Sequence, residues 1–291
     1  METSLQPVGG DRAASATAIS HAPGWLATWH LLSLDAPTVA SVWTWFVART
    51  AHVTLPPIVP VAMFLAVWIL YATDRLLDGV GGTAEDMEAR HRFHRRHRRG
   101  FEIALTSASL ALIPLVLAMP ATSLRLYIGL AVLLAGWFLV VHRLTRNWRL
   151  KLPKELMPGL FCAAAAFIPV WANRGFDHLE LACAAIAFGV LIIFNCLCIY
   201  AWEHQQMADA HWTTRLGVRY LTQLGVATVL LSLLAIALAG EQMAPIFIAT
   251  ALAATLLLAL NQIRGALEPT DLRAASDLVL LTPLLVAPFL R

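Results

Sequence analysis

The sequence predicts an all-α protein: a polytopic membrane bundle of nine transmembrane helices with an N-terminal interfacial helix. Three observations predict it. The chain of 291 residues is 59% apolar and only 13% charged, where a soluble protein carries about a quarter charged residues. Its mean hydropathy is +0.68. Charges vanish from stretches long enough to cross a bilayer as helices, such as 105–124, and 216–239 contains only Arg219.

Residues 1–22 are rich in Ala, Ser, Gly and Thr without a periodic apolar face. They lack the basic start and apolar run of a cleaved leader, so a disordered tail is expected. Trp25, Leu26, Trp29 and Leu32 fall near one helical face, which predicts a short helix lying in the interface with its tryptophans at headgroup depth. Asp35 offers a cap and Pro37 suits a first turn. Residues 1–35 are thus a tail and interfacial helix, and 36–291 the transmembrane domain. The nine spans are expected at 36–52, 57–79, 101–119, 122–142, 155–172, 178–203, 217–239, 243–263 and 273–290. The first, interrupted by Thr38, Ser41, Thr44 and Thr50, belongs among other helices. Pro56, Pro57, Pro120, Gly240 and Pro245 mark tight turns on one side.

Orientation follows from the basic residues. With the N-terminus and the connections after spans two, four, six and eight on one side, that side holds 17 of the 21 Lys and Arg. Only Arg49, Arg125, Arg174 and Arg291 fall opposite. The bias predicts an integral, multi-pass protein of an inner (cytoplasmic) membrane with its N-terminus in the cytoplasm. Cys162, Cys183, Cys196 and Cys198 sit in apolar segments with no CxxC pair, as small buried hydrophobes rather than a disulfide or zinc frame.

The most informative stretch is 68–99. An apolar helix ends carrying Asp74 and Asp78, four apart and so on one face. The partial negative charge of a helix C-terminus adds to theirs, which favours cations; a solvated Arg75 offsets part of it. Six arginines and three histidines follow between Arg90 and Arg99, read as a basic loop. A second acidic end follows the sixth span, where Tyr200-Ala-Trp-Glu203 echoes Tyr71-Ala-Thr-Asp74 and Asp209 lies just beyond. The two tetrapeptides stand four spans apart, as in a four-helix repeat. Two readings are open at this point: charges snorkelling at a membrane boundary, or paired acids for a divalent metal with arginines for the anion it bridges.

Paired acidic motifs on the second and sixth of nine spans resemble the UbiA family of intramembrane prenyltransferases. Asp74 and Asp78 match the last two acids of the family's NDxxDxxxD pattern, with Leu70 and Tyr71 at its Asn and first Asp. Glu203 and Asp209 stand for its second, acid-rich run. Thr213-Thr214-Arg215-Leu216-Gly217 is similar to the segment that opens the seventh helix in relatives. The resemblance implies a bundle around a lipid-open cavity and a Mg²⁺-dependent transfer of an isoprenyl group from a prenyl diphosphate to an aromatic or other lipophilic acceptor. It implies Asp74, Asp78, Glu203 and Asp209 as metal ligands. Arg92, Arg95 and Lys154 would bind diphosphate, and Tyr71, Tyr200 and Trp202 would shield an allylic cation. Partners are then the prenyl diphosphate, its acceptor and membrane lipid, with no nucleic acid.

Two rivals stand beside it. One is a non-catalytic membrane protein that keeps the bundle with a decayed site, suggested by the incomplete first motif. The other is a histidine-ligated di-iron oxygenase, suggested by His91, His94 and His97 with His204 and His211. Asp277, one turn after Arg273, is expected to pair with it.

Overall fold

The computed structural model describes residues 24–78, 89–148, 153–173, 178–204, 207 and 210–290, and side chains throughout these except at 78, 89–91 and 142–148. The N-terminal tail and Asp209 lie outside the described residues. Helices α1 (Trp25–Leu31), α2 (Asp35–Thr50), α3 (Ile58–Asp78), α4 (Ala89–Arg96), α5 (Arg98–Leu117), α6 (Ala121–Trp148) and α7 (Leu156–Trp171) make up the first part. Then follow α8 (His178–Glu203), α9 (Trp212–Arg219), α10 (Leu221–Leu238), α11 (Ala244–Ile263), α12 (Pro269–Val279) and α13 (Pro283–Val286). There is no strand among the described residues.

Among the described residues, six helices (α3, α5, α6, α8, α10 and α11) are each long and apolar enough to cross a membrane, and up to eight spans result if each of two bent pairs counts as one. The chain is a multi-pass membrane protein. The bent pairs are α1 with α2, turned by 88°, and α12 with α13 and the 3-10 turn after it, turned by 42°. The second bend has a simple cause: Pro283 has no N–H for the carbonyl of Val279, one turn earlier. The stretch expected as one span over 273–290 is therefore broken. The predicted fifth span, α7, is apolar but only 16 residues long.

Against lipid, which is as apolar as leucine, helices associate through close packing and polar contacts rather than through hydrophobic exclusion. The centre of the bundle shows both. On α2, Trp43, Phe46 and Val47 have no exposed surface. Trp43 stacks on Phe188 of α8 with ring centroids 4.2 Å apart and donates Nε1–H to the Leu280 carbonyl at 2.8 Å. The hydroxyls on α2 do not expose it to water. Thr44 donates to Ala40 O and Thr50 to Val47 O in the helix itself, and Ser41 to Pro60 O of α3, so each is satisfied within protein. Where α7 crosses α8, a Cβ built on Gly159 would stand 2.5 Å from the Gly189 carbonyl oxygen; the backbones touch there. By contrast α5 packs on α3 and α6 on α7, with most of their surfaces turned outward.

Three expectations are corrected. The interfacial helix exists as α1, and Trp25 is exposed, but His30 and Leu31 are buried against the bundle, where α1 packs on α12 and α4. The basic segment expected as a loop is helix α4. Phe93 and His94 anchor it: the His94 ring stacks on Phe101 at 4.1 Å, leaving Arg92, Arg95 and Arg96 exposed. The predicted span from 217 is preceded by α9 and opens only after a break at Tyr220.

Candidate functional site

The elbow between α1 and α2 is where the polar chemistry gathers. Ser33 takes a left-handed backbone (φ 60°) there, which turns α1 back so that His30 faces the first residue of α2, Asp35. His30 Nδ1–H donates to Asp35 Oδ2, and both side chains are buried. Asp35 Oδ1 also accepts from the Ala36 N–H at 3.0 Å, so the predicted capping residue serves its own helix start as well. The carbonyls left over at the end of α1 are taken by α3: Arg75 Nη1 donates to His30 O at 2.8 Å and Trp68 Nε1 to Leu32 O at 3.0 Å. His94 of α4 closes the elbow from outside, its Nε2 lying 3.1 Å from Ser33 Oγ.

Arg75 was expected in solvent; it is only 4% exposed. Its guanidinium lies over the Tyr71 ring at 4.7 Å and 3.7 Å from Asp35 Oδ2. A cation that packs on an aromatic face and neutralises a buried carboxylate belongs inside. Across from Asp35 stands Asp277 of α12. His30, Asp35 and Asp277 each offer a ligand atom within 4.8 Å of the others, and all three are buried. Asn195, in the middle of α8, donates Nδ2–H to Asp277 Oδ1 at 3.0 Å. The expected Arg273–Asp277 pair is replaced: Arg273 Nη1 donates to Glu203 Oε1 at the end of α8. Glu203 offers Arg273 a partly exposed carboxylate, whereas Asp277 points into the bundle.

The other predicted residues stand as follows. Asp74 is half-buried in the last turns of α3; Asp78 ends that helix, with its side chain outside the described ones. Arg92, Arg95 and Lys154 are exposed. The Tyr200 ring stacks on His204 at 4.1 Å, and Trp202 Nε1 donates to Asn261 Oδ1 at 2.8 Å. Among the described residues, the one group of three candidate metal ligands within sharing distance is His30, Asp35 and Asp277, not the motif acids. His94, His97, His204 and His211 belong to no such group; they bind Ser33, the Phe93 carbonyl, the Tyr200 carbonyl and Thr213 respectively. An apolar groove of about 530 Å³ lies between α6, α7 and α8, lined by Leu130, Leu133, Phe167, Trp171 and Ile186 with Arg125 at its edge. It lies far from the motifs, since Ile186 and Glu203 are about 25 Å apart along α8.

Sequence reasoning singled out Asp277 and read Asp35 as a cap, but it missed His30 and Asn195. The available signal was polarity in an apolar setting: Asn195 interrupts a long apolar run, and such residues face the bundle interior and have partners. What joins these residues is tertiary, because 30, 75, 195 and 277 share no local pattern. No protein-family model, no curated protein and no solved structure matches the chain.

Proposed function

We propose that the protein is an intramembrane transferase of the UbiA type, moving an isoprenyl group from a prenyl diphosphate to a lipophilic acceptor with Mg²⁺. In this reading α2, α3, α5, α6, α7, α8, α10, α11 and the bent α12–α13 pair are its nine spans, and the acidic helix ends face the cytoplasm. The observation that carries it is a polar chain linking the two motif helices. From Arg75 on α3 the chain runs to Asp35, on to Asp277, and from there to Asn195 on α8. Arg273, one turn from Asp277 on α12, holds Glu203 at the end of α8. The two motif helices are thus joined through α2 and α12, which pack on each other, with α4 and its exposed arginines packed on α1.

Mg²⁺ commonly takes one or two carboxylates and fills its remaining positions with water and substrate phosphates. Asp74, Asp78 and Glu203 offer carboxylates of that kind, with Asp209 as a fourth. The bound ion would supply charge neutralisation of the leaving diphosphate. Glu203, held by Arg273 here, would be a ligand to the ion once released, and Arg273 would then be available with Arg92, Arg95 and Lys154 for phosphate oxygens. Tyr71, Tyr200 and Trp202 stand within a turn of the acids, Tyr71 and Tyr200 each with one ring face covered, by Arg75 and His204, and the other left to shield a cation.

Binding of labelled isoprenyl diphosphates to the purified protein, with Mg²⁺ and with EDTA, tests the reading. Binding is expected only with Mg²⁺, and Asp74→Ala, Asp78→Ala and Glu203→Ala are each expected to weaken it by about tenfold or more. Absence of binding in the parent, or indifference to all three changes, refutes it.

A further inference from the structure

The buried cluster brings two carboxyl groups and an imidazole within reach of one another. Asp35 and Asp277 face each other with His30, and the nearest cation is Arg75, 3.7 Å from Asp35 Oδ2. Arg273 is engaged by Glu203. Two carboxyl groups this close in a water-poor interior hold one proton between them, and a divalent cation can take that proton's place. Three buried polar atoms of the surrounding residues have no hydrogen-bond partner: Arg75 Nη2, Asn195 Oδ1 and Arg273 Nε. Asn195 is 3% exposed, and its amide already meets Asp277 through Nδ2. Rotating that amide by half a turn exchanges donor for acceptor and sets a carbonyl oxygen beside the carboxylate.

We propose that His30, Asp35 and Asp277, with the Asn195 amide oxygen beside them, bind a divalent transition-metal cation at the junction of α1, α2, α8 and α12. Ligand atoms around such an ion, each about 2.0–2.2 Å from it, stand about 3–4 Å apart. Three atoms within 4.8 Å of one another reach that arrangement by side-chain rotation. One imidazole nitrogen among carboxylate and amide oxygens favours Zn²⁺, Mn²⁺, Co²⁺ or Fe²⁺ over Mg²⁺, which prefers oxygen alone. On binding, the proton of His30 Nδ1 moves to Nε2, the other neutral tautomer, and Nδ1 turns its lone pair to the ion. Arg75 keeps its bond to the His30 carbonyl and its place over Tyr71. Because it stands beyond hydrogen-bond distance from Asp35, the carboxylate remains available as a ligand.

The site uses none of the proposed Mg²⁺ carboxylates, so the retention of a metal here and the binding of prenyl diphosphates there are read by separate experiments. The test is metal content of the full-length protein in detergent after equilibration with Zn²⁺, Mn²⁺ or Co²⁺ and desalting, together with the visible spectrum of the Co²⁺ form. About one ion per chain is expected, with nitrogen ligation in the Co²⁺ spectrum. His30→Gln and Asp277→Asn are each expected to lower affinity by a factor of about ten or more, as is Asn195→Ala. Glu102→Gln, at an exposed carboxylate paired with Arg98, is expected to leave the content unchanged. Asp277→Asn preserves shape; should it still fail to fold, His30→Gln and the wild-type Co²⁺ spectrum decide. No retained ion of any of the three metals overturns the proposal, as does a content indifferent to both His30→Gln and Asp277→Asn.

Discussion

Glu203 and Arg273 meet across 70 positions of sequence, with side chains 24% and 15% exposed. A pair so placed is screened in part by solvent, so its worth is modest. A double-mutant cycle with Glu203→Gln and Arg273→Met, read by unfolding in detergent, is expected to give a coupling of about 1 kcal/mol. Coupling near zero, with each variant costing stability alone, would place the two side chains apart. Glu203 was readable as a candidate from its place at the end of an apolar helix. Its partner was not, because Arg273 has an acid one turn away in sequence, and local spacing favoured that choice. Burial decided otherwise: Asp277 faces Asn195 and Asp35 inside the bundle, while Arg273 reaches outward. The same limit applies to Arg75, whose carbonyl and carboxylate partners come from α1 and α2, Tyr71 being its one named neighbour on its own helix.

The helices themselves were legible, because length and apolarity are local properties. Their breaks were less so. Pro283 lies within an apolar run and cuts it without changing hydropathy, and α4 hides in a segment whose charge suggested a loop. A helix there is explained by Phe93 and His94, which pack inward while the arginines stay in solvent. The crossing of α7 and α8 yields a prediction of order. A methyl on Gly159 meets the Gly189 carbonyl at 2.5 Å, which forces the backbones apart, whereas one on Gly189 meets the Gly159 carbonyl at 3.3 Å, a contact relieved by a small shift. Gly159→Ala is therefore expected to destabilise by about 1–3 kcal/mol and Gly189→Ala by less. Thermal unfolding of the two variants checks this, and the reverse order would contradict the crossing.

At the scale of the molecule, the bundle closes by bringing the first and last membrane elements together. Trp43 of α2 donates to Leu280 at the end of α12, and Asp35 faces Asp277. Sequence pattern had no means of showing this closure, since the residues are separated by almost the whole chain and each alone reads as a boundary charge. The charge asymmetry and the paired acidic tetrapeptides led to the ends of α3 and α8; the structure adds Asp35 of α2 beside Arg75 of α3, and Asp277 of α12 beside Asn195 of α8. Both the transferase reading and the metal site depend on that juxtaposition. Cross-linking tests it most directly: in a background lacking the four native cysteines, Asp35→Cys and Asp277→Cys are treated with a short linker that reacts with two thiols. An engineered cleavage site in the turn at 240–243 separates the two positions into different fragments. The account predicts that the fragments remain joined after cleavage. Fragments that separate, although both thiols react with a small monofunctional reagent, would contradict it.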